Sequence, residues 1–208
     1  MIPVRTGQDH VASLRDGRDV YINGKRVADV TSHKAFRNSV RSAAALYDFQ
    51  ARPDRIEAMT FASPATGRRV SRCWQLPGSY AELLERRQAL EAWAELHFGF
   101  MGRSPDHVAS CIGGMFMGIE LFEAHDRKRA AAVRDYYAFA RDNDLFLTYV
   151  IINPQADRSK SAHEQADPYL AAAVVDEDAQ GITMRGAKML ATSSIMARRP
   201  RCPRHDGR

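Results

Sequence analysis

A chain of 208 residues, 45% hydrophobic and 26% charged, has the composition of a globular protein with one large domain or two small ones. No run approaches the roughly 18 uninterrupted apolar residues that a membrane span needs. The N-terminus also lacks the apolar core of a signal peptide, so we expect a cytoplasmic protein with no membrane partner. Three widely spaced cysteines, Cys73, Cys111 and Cys202, favour neither a disulfide framework nor a Cys-x-x-Cys metal site.

The net charge of +5 is concentrated at the C-terminus. Residues 198–208 hold five arginines and one aspartate, so the rest of the chain is close to neutral. This Arg/Pro-rich segment has no apolar periodicity, which predicts a disordered tail. We therefore expect no nucleic-acid partner, although a short basic arm is the alternative interpretation.

The sequence of the N-terminal third predicts short elements followed by a longer helix. Residues 9–15 predict a helix, and the Asn23-Gly24 pair between apolar residues predicts a hairpin over 20–27. Apolar positions at helical spacing predict an amphipathic helix over 33–49. The Pro- and Gly-rich stretch 51–77 predicts a loop with one short strand at 70–74.

Three further helices follow. Ser79 with Glu82 has the Ser-x-x-Glu form of a capping box and predicts a helix start. Ser104 followed by Pro105 opens a second helix, whose three glycines between 113 and 118 indicate close backbone packing or a broken helix. A third helix is predicted over 126–142.

The pattern changes after Asp144. An apolar run over 145–152 stops at Asn153-Pro154, which predicts a buried strand that delivers a loop to a functional site. Two runs, 169–175 and 182–192, predict antiparallel strands joined by an acidic turn. The sequence therefore predicts an α+β fold: a mostly helical domain with a short hairpin (1–144), a partial antiparallel β domain (145–197), and the Arg/Pro-rich tail (198–208).

The residues alone leave the chemistry open. His97, His107 and His125 are candidate acid–base groups, with Arg103 and Tyr149 as polarising donors, but a lone histidine on a helix is more often structural. Histidine spacings for a metal, a Gly-x-Ser-x-Gly elbow and a Gly-x-Gly-x-x-Gly phosphate loop are all missing from the sequence. We accordingly predict no metal site.

Four blocks in order carry a resemblance to a known family. Residues 13–38, 98–107 (FGFMGRSPDH), 151–160 (IINPQADRSK) and 181–194 (GITMRGAKMLATSS) resemble the 4-hydroxyphenylacetate 3-hydroxylase oxygenase family. Members are flavin-dependent aromatic hydroxylases with a fold similar to acyl-CoA dehydrogenases. The resemblance implies a two-component monooxygenase of aromatic catabolism: a separate flavin reductase supplies reduced FAD, which uses O₂ to hydroxylate a phenol ortho to its hydroxyl. Intact members form homotetramers.

The resemblance also implies roles for individual residues. Arg103 matches the arginine that contacts the phenol and supports its ionised form. The segment 149–158 matches the flavin lining, and Thr192 matches a strand residue that hydrogen-bonds the flavin. The implied cofactor contacts are Tyr149, Val150, Ile151, Ile152, Gln155, Ala156, Asp157, Arg158 and Thr192. For Arg158 the alternative is a surface ion pair with Asp157.

Two positions depart from the family pattern by an exchange of residue types. His107 stands where the family usually has Tyr, and Tyr149 stands where it usually has His. Both side chains can donate a hydrogen bond to a phenolate oxygen. We therefore hypothesise that His107 and Tyr149 face the same substrate and compensate for each other.

The family continues for more than twice this length, into a C-terminal helical bundle that completes the flavin pocket. We expect the chain to be truncated, with that bundle absent. A catalytically inactive fragment that serves as a binding or assembly module is the second interpretation. A 4-hydroxybutyryl-CoA dehydratase ranks last, because Cys73 and Cys111 do not supply the ligands of an iron–sulfur cluster.

Overall fold

The computed structural model describes residues 4–178 and 181–198, which form two compact units. The first unit comprises the described residues of Met1–Leu147 together with 193–198, and the second comprises those of Thr148–Thr192. The first is mainly helical and the second carries an antiparallel hairpin, so the predicted α+β fold class is confirmed. The sequence pattern assigned residues 145–147 and 193–197 to the β domain, whereas they belong to the first compact unit. The limits of the domains stay a prediction. The predicted tail lies outside the described residues apart from Arg198.

The first unit contains helices and two short hairpins. Its helices are α1 (Gly7–Ser13), α2 (Arg37–Ala51), α3 (Ile56–Met59), α4 (Tyr80–Leu96), α5 (Pro105–Met117), α6 (Ile119–His125) and α7 (Arg127–Asp142). Its strands are β1 (Tyr21–Ile22) with β2 (Lys25–Arg26), and β3 (Thr60–Ala62) with β4 (Arg69–Ser71), each pair antiparallel. The predicted hairpin turn is confirmed, because Asn23 and Gly24 have φ of 50° and 75°. Along the described ranges, no helix is both long and apolar enough to cross a membrane.

Side-chain caps fix where the main helices begin. Thr6 and Asp9 form a reciprocal capping box at α1. The Ser79 hydroxyl accepts from Glu82 N at 3.2 Å, which confirms the predicted start of α4. The Glu82 carboxylate, however, accepts from Gly78 N at 2.6 Å. The second half of the predicted box therefore reaches one residue further back.

Both expectations for the glycines of the second predicted helix are met. Gly118 separates α5 from α6, so the helix is broken there. A Cβ at Gly113 would lie 3.1 Å from Leu76 Cδ2, so a larger residue would require Leu76 to shift by a few tenths of an ångström. The close approach lets α5 pack near the segment that precedes α4.

A core inside the first unit joins the N-terminal elements. Leu14, Val27, Val30 and Val40 form one buried cluster, and a second consists of Ala43, Tyr47 and Phe146. Met196 packs against both clusters, so the segment after the second unit returns to the first unit's core.

The carboxyl group of Asp144 is buried beside this core, two residues after the end of α7. Asp144 accepts a hydrogen bond from Gln50 Nε2 at 2.7 Å, and its carbonyl accepts from the Tyr47 hydroxyl at 3.2 Å. Burial raises the pKa of Asp144 to about 6. His10 stacks on Tyr47 at 4.7 Å between centroids, and burial, with the charge of Arg5, lowers the pKa of His10 to about 3. The first unit thus encloses two ionisable groups in their neutral forms near pH 5.

The second unit contains one antiparallel hairpin. Strands β5 (Ala173–Asp178) and β6 (Gly181–Arg185) pair from Ala173 opposite Arg185 to Asp178 opposite Gly181, with an irregularity between Val174 and Asp176. The antiparallel arrangement is confirmed. The acidic residues expected in the turn instead extend β5, because Asp176 and Glu177 pair with β6.

The prediction of a buried strand across 145–152 is wrong. Leu145, Phe146 and Leu147 are buried in the first unit, whereas Val150 and Ile151 of the second unit are exposed. Among the described residues, this run has one isolated bridge, from Ile152 to Met189, in place of a ladder. An apolar run cannot show that the chain passes from one unit to another within it.

Candidate functional site

Two predicted cofactor-binding segments lie side by side in the second unit. Met189 N donates to Ile152 O at 2.8 Å, and Lys188 Nζ donates to Ile151 O at 3.3 Å. Further along, the Thr148 hydroxyl donates to Thr192 O. The structure therefore brings residues 149–152 together with Thr192, although they lie 40 or more positions apart in the sequence.

These segments present a strip of apolar side chains. The apolar strip consists of Val150, Ile151, Ile152 and Leu190, whose exposed fractions are 37%, 62%, 43% and 70%. Leu190 has φ of 59°, an uncommon value for a side chain of its size that often marks a functional constraint. Thr192 is also exposed, and its backbone N donates to Leu190 O at 2.9 Å. The strip is flanked by Tyr149, which is half-buried.

The loop after the strip is tied by local hydrogen bonds. Asp157 N donates to Gln165 Oε1 at 3.0 Å, and Gln165 Nε2 returns a bond to Asp157 O at 2.7 Å. The Asp157 carboxylate accepts from the Ser159 hydroxyl and amide, which lowers the pKa of Asp157. These bonds leave Gln155, Ala156 and Arg158 exposed.

The alternative for Arg158 was an ion pair with its neighbour. In the described part of the chain Asp157 pairs with Lys160 at 3.8 Å, and not with Arg158. Surface pairs of this kind contribute little to stability. The role of Arg158 in cofactor binding stays a prediction.

Arg103 and His107 lie at the N-terminus of α5 in the first unit. Arg103 is half-buried in the turn before the helix, and the half-buried His107 donates its amide to Ser104 O at 3.1 Å. Ser104 occupies the predicted cap position, but its hydroxyl bonds the Asp106 carboxylate. Since Tyr149 belongs to the second unit, the hypothesis that it compensates for His107 stays a prediction.

The other candidate histidines have structural positions. His97 caps the C-terminus of α4, and its Nδ1 accepts from Met101 N at 3.3 Å. His125 lies in the last turn of α6. Within residues 4–178 and 181–198, no group of three or more His, Cys, Asp or Glu residues is arranged to hold a metal ion.

Two polar groups that sequence reasoning missed organise the first unit. Asp144 was noted only as the end of the helical region, and nothing in its neighbourhood signals that it is buried against Gln50. Asp16 and Arg18 form a shielded ion pair at 2.7 Å with side-chain exposures of 13% and 14%. They lie in the first block that carried the family resemblance, which was the available signal.

The fold is similar to that of solved oxygenase and dehydratase structures, which places the chain in the acyl-CoA dehydrogenase-like fold class. A sequence profile described as "4-hydroxyphenylacetate 3-hydroxylase N terminal" matches residues 6–199. The chain belongs to this family, and the expected resemblance is confirmed.

Individual relatives agree with the profile. The chain is 40% identical over 192 residues to the 4-hydroxyphenylacetate 3-monooxygenase oxygenase component of Geobacillus sp. (strain PA-9), covering 92% of this chain and 38% of the relative. It is 45% identical over 191 residues to the pyoverdin chromophore biosynthetic protein PvcC of Pseudomonas aeruginosa, covering 92% and 37%. The chain therefore spans less than two fifths of these relatives.

A solved structure also matches. It is the oxygenase component (HpaB) of 4-hydroxyphenylacetate 3-monooxygenase complexed with FAD and 4-hydroxyphenylacetate. The TM-score is 0.83 at 35% identity, over 93% of this chain and 39% of that chain. The structural match covers both units of the described chain.

Proposed function

We propose that this chain is the N-terminal portion of the oxygenase component of a two-component, FAD-dependent phenol monooxygenase. The observation that carries the proposal is the pairing of residues 149–152 with 188–192 in the second unit. This pairing brings the backbones of two segments predicted to bind the flavin side by side, which supports the proposal. Family membership supports the same reaction class.

The residues of the second unit fit a flavin. The apolar strip offers aliphatic side chains to a flat aromatic ring system, and Thr192 adds an exposed hydroxyl at its edge. Such a mixture of apolar surface and a few polar groups is typical of cofactor sites. When bound, reduced FAD supplies the transfer of an oxygen atom from O₂ to the substrate. The chain's residues bind the ring, orient it and exclude water from it.

The proposed role of Arg103 is to bind the phenol substrate. Its guanidinium carries a permanent charge, and it stabilises a phenol in the ionised form. A phenolate donates electron density to the ring carbons beside its oxygen, which are the positions to be hydroxylated. His107 and Tyr149 are proposed to donate hydrogen bonds to that oxygen.

The direct test is a turnover assay on the full 208-residue chain. The chain is supplied with FAD, a flavin reductase, NADH, O₂ and 4-hydroxyphenylacetate, and products are separated by chromatography. If the 208 residues close the flavin site without the C-terminal bundle, an ortho-hydroxylated catechol forms, and Arg103→Gln lowers its yield at least tenfold. Arg87→Gln is the matched control, because Arg87 makes an exposed ion pair with Glu91 on α4.

Catechol formation at equal yield with Arg103→Gln would contradict the substrate role of Arg103. Consumption of NADH with hydrogen peroxide as the product would show that reduced flavin reacts without transfer to the phenol. In that case the chain is not a monooxygenase by itself. The separate reductase, the cytoplasmic location and a homotetramer are part of the proposal for the whole protein.

A specific observation favours a binding or assembly module as the second candidate. Every residue of β5 and β6 in the second unit is exposed, including the large side chains of Val174, Ile182 and Met184. Exposed apolar surface of this extent marks protein interaction sites. A chain that yields no catechol but co-elutes with a full-length family oxygenase would support this candidate over the first.

A further inference from the structure

The side chain of Arg18 uses every donor it has. Nε and Nη2 donate to the two carboxylate oxygens of Asp16 at 2.8 Å and 2.7 Å. Nη2 also donates to Ala197 O at 2.9 Å, while Nη1 donates to Ser194 O at 3.0 Å and Ile195 O at 3.3 Å. A guanidinium has five N–H groups, and all five are engaged here. The arrangement is a clamp on residues 194–197, made from the opposite end of the sequence.

The clamp holds the hydrogen-bonded turn at 193–197. Met196 N and Ala197 N both donate to Ser193 O, at 2.9 Å and 3.0 Å, which closes the turn. The carbonyls at the end of such a turn have no partner within it. Arg18 supplies those partners, while Ile195 and Met196 pack into the core clusters of the first unit.

The first residue of this turn is strained and contacts Arg103. Ser193 has φ of 67°, a left-handed conformation that costs energy for a residue with a side chain. Its hydroxyl donates to Arg103 O at 3.4 Å, near the upper limit for a hydrogen bond. Strain of this kind persists only where the surrounding contacts fix it. The contacts that hold 194–198 are the Arg18 bonds, the packing of Ile195 and Met196, and the bond from Arg198 N to Phe146 O at 2.9 Å.

We propose that Arg18, oriented by Asp16, is a positioning residue for Arg103, acting through Ser193. By fixing the turn at 193–197, the clamp fixes Ser193 against the backbone of Arg103 and so sets where that guanidinium stands. The inference rests on the proposed function in one respect, namely that Arg103 meets the phenol.

Lysine cannot replace Arg18 in this role. An ammonium keeps the charge opposite Asp16 but has three donors at one point, and it cannot span two carboxylate oxygens and three carbonyls at once. Arg18→Lys therefore keeps the charge pair with Asp16 but removes the bonds to the carbonyls of 194–197. Ser193→Ala removes the link to Arg103 and leaves the clamp intact.

The test measures amide hydrogen exchange in the full 208-residue chain. We expect Arg18→Lys to speed exchange over residues 98–107 and 193–198 by about tenfold, and Ser193→Ala to speed exchange over 98–107 by a smaller factor. The double variant should match Arg18→Lys over 98–107, because both changes break one path. Arg15→Gln is the matched control, since Arg15 makes only an exposed pair with Asp29 at 3.4 Å and a bond to Thr31 in the described chain.

Helix α4 (Tyr80–Leu96) is the internal reference for global stability. Unchanged exchange over 98–107 in Arg18→Lys would overturn the inference, and so would a rise shared equally by α4. The second arm measures the dissociation constant of 4-hydroxyphenylacetate with reduced FAD present. We expect Arg18→Lys to weaken phenol binding about tenfold, with Arg15→Gln unchanged.

Faster exchange over 98–107 with unchanged phenol affinity would overturn the positioning role, since Arg18 would then hold the segment without serving Arg103. A wild-type chain that binds no phenol would count against the proposed function instead. In that outcome the exchange pattern still decides whether Arg18 controls the Arg103 segment, because it requires no ligand.

Discussion

The two units differ in where they keep their apolar side chains. The first buries Trp74, Trp93 and Leu46 almost completely, whereas the large apolar residues of β5 and β6 in the second are exposed. Burial of such side chains is the main favourable contribution to folding. The first unit therefore carries a core of its own, while the hairpin of the second unit keeps its large apolar side chains exposed.

The two units also differ in the burial of their ionisable groups. The first unit encloses His10 and Asp144, whose pKa values are displaced by burial. In the second unit, Asp157 and Glu164 are solvent-accessible, and serine hydrogen bonds lower the pKa of each carboxyl. Among the described residues, His10 and Asp144 of the first unit should therefore each make a strongly pH-dependent contribution to stability.

The largest expected contrast compares two substitutions to alanine. Trp93 is 1% exposed, and its indole N–H donates to Leu46 O at 3.1 Å. We expect Trp93→Ala to lower the free energy of unfolding by about 3–5 kcal/mol. Ile182→Ala, at an exposed position of β6, should change it by less than about 1 kcal/mol. Urea denaturation followed by circular dichroism measures both. Equal losses would show that the second unit is part of the same cooperative core.

The pH dependence provides the next contrast. Asp144 has a pKa raised to about 6 from 3.8, so its contribution to stability is present below pH 3.8 and is lost as the pH rises through 6. His10 has a pKa lowered to about 3 from 6.5, so its contribution is present above pH 6.5 and is lost as the pH falls toward 3. The two effects oppose each other between pH 4 and pH 6.5.

Replacing either group should reveal the pH dependence of stability that the other contributes. In Asp144→Asn the free energy of unfolding should fall by about 3 kcal/mol between pH 6.5 and pH 4, because only the His10 effect remains. In His10→Phe it should rise over the same interval by a similar amount. The wild-type chain should show a nearly flat profile. Parallel profiles for the wild type and both variants would contradict the assignment of these groups.

The smallest global effect is expected from Gly186→Ala in the second unit. Gly186 has φ of +113°, and a Cβ there would lie 2.3 Å from Ala171 O, so the substitution must distort the local backbone. We expect faster hydrogen exchange over 170–187, with the global free energy of unfolding unchanged within about 0.5 kcal/mol. A global loss of several kcal/mol would remove the distinction between the two units.

Local signals in the sequence predicted the local structure well. The Asn23-Gly24 turn, the Ser79 cap and the start of α5 at Pro105 each depend on a few neighbouring residues, and each is confirmed. The run at 145–152 failed because hydrophobicity shows that a segment is apolar but not which unit holds it. The Arg18 clamp joins residues at least 176 positions apart, and no local pattern shows such a contact.

At the candidate site, too, the sequence predicted part of the arrangement and tertiary contacts determine the rest. The residues alone singled out a loop after 152 and several polar side chains, but not what they bind. The family resemblance supplied the flavin and the phenol. The structure then added the pairing of 149–152 with 188–192, which is made by the bridge between Ile152 and Met189 and by side-chain bonds of Lys188 and Thr148. The buried Asp144 and the strained Ser193 depend on tertiary contacts.

The most direct test of the account is hydrogen exchange with and without reduced FAD under anaerobic conditions. The account predicts that the cofactor slows exchange over 148–160 and 186–192 severalfold, because both segments line its binding surface, while α2 and α4 are unchanged. Exchange over both segments that is unaffected by saturating reduced FAD would contradict the claim that the second unit forms a wall of a flavin site.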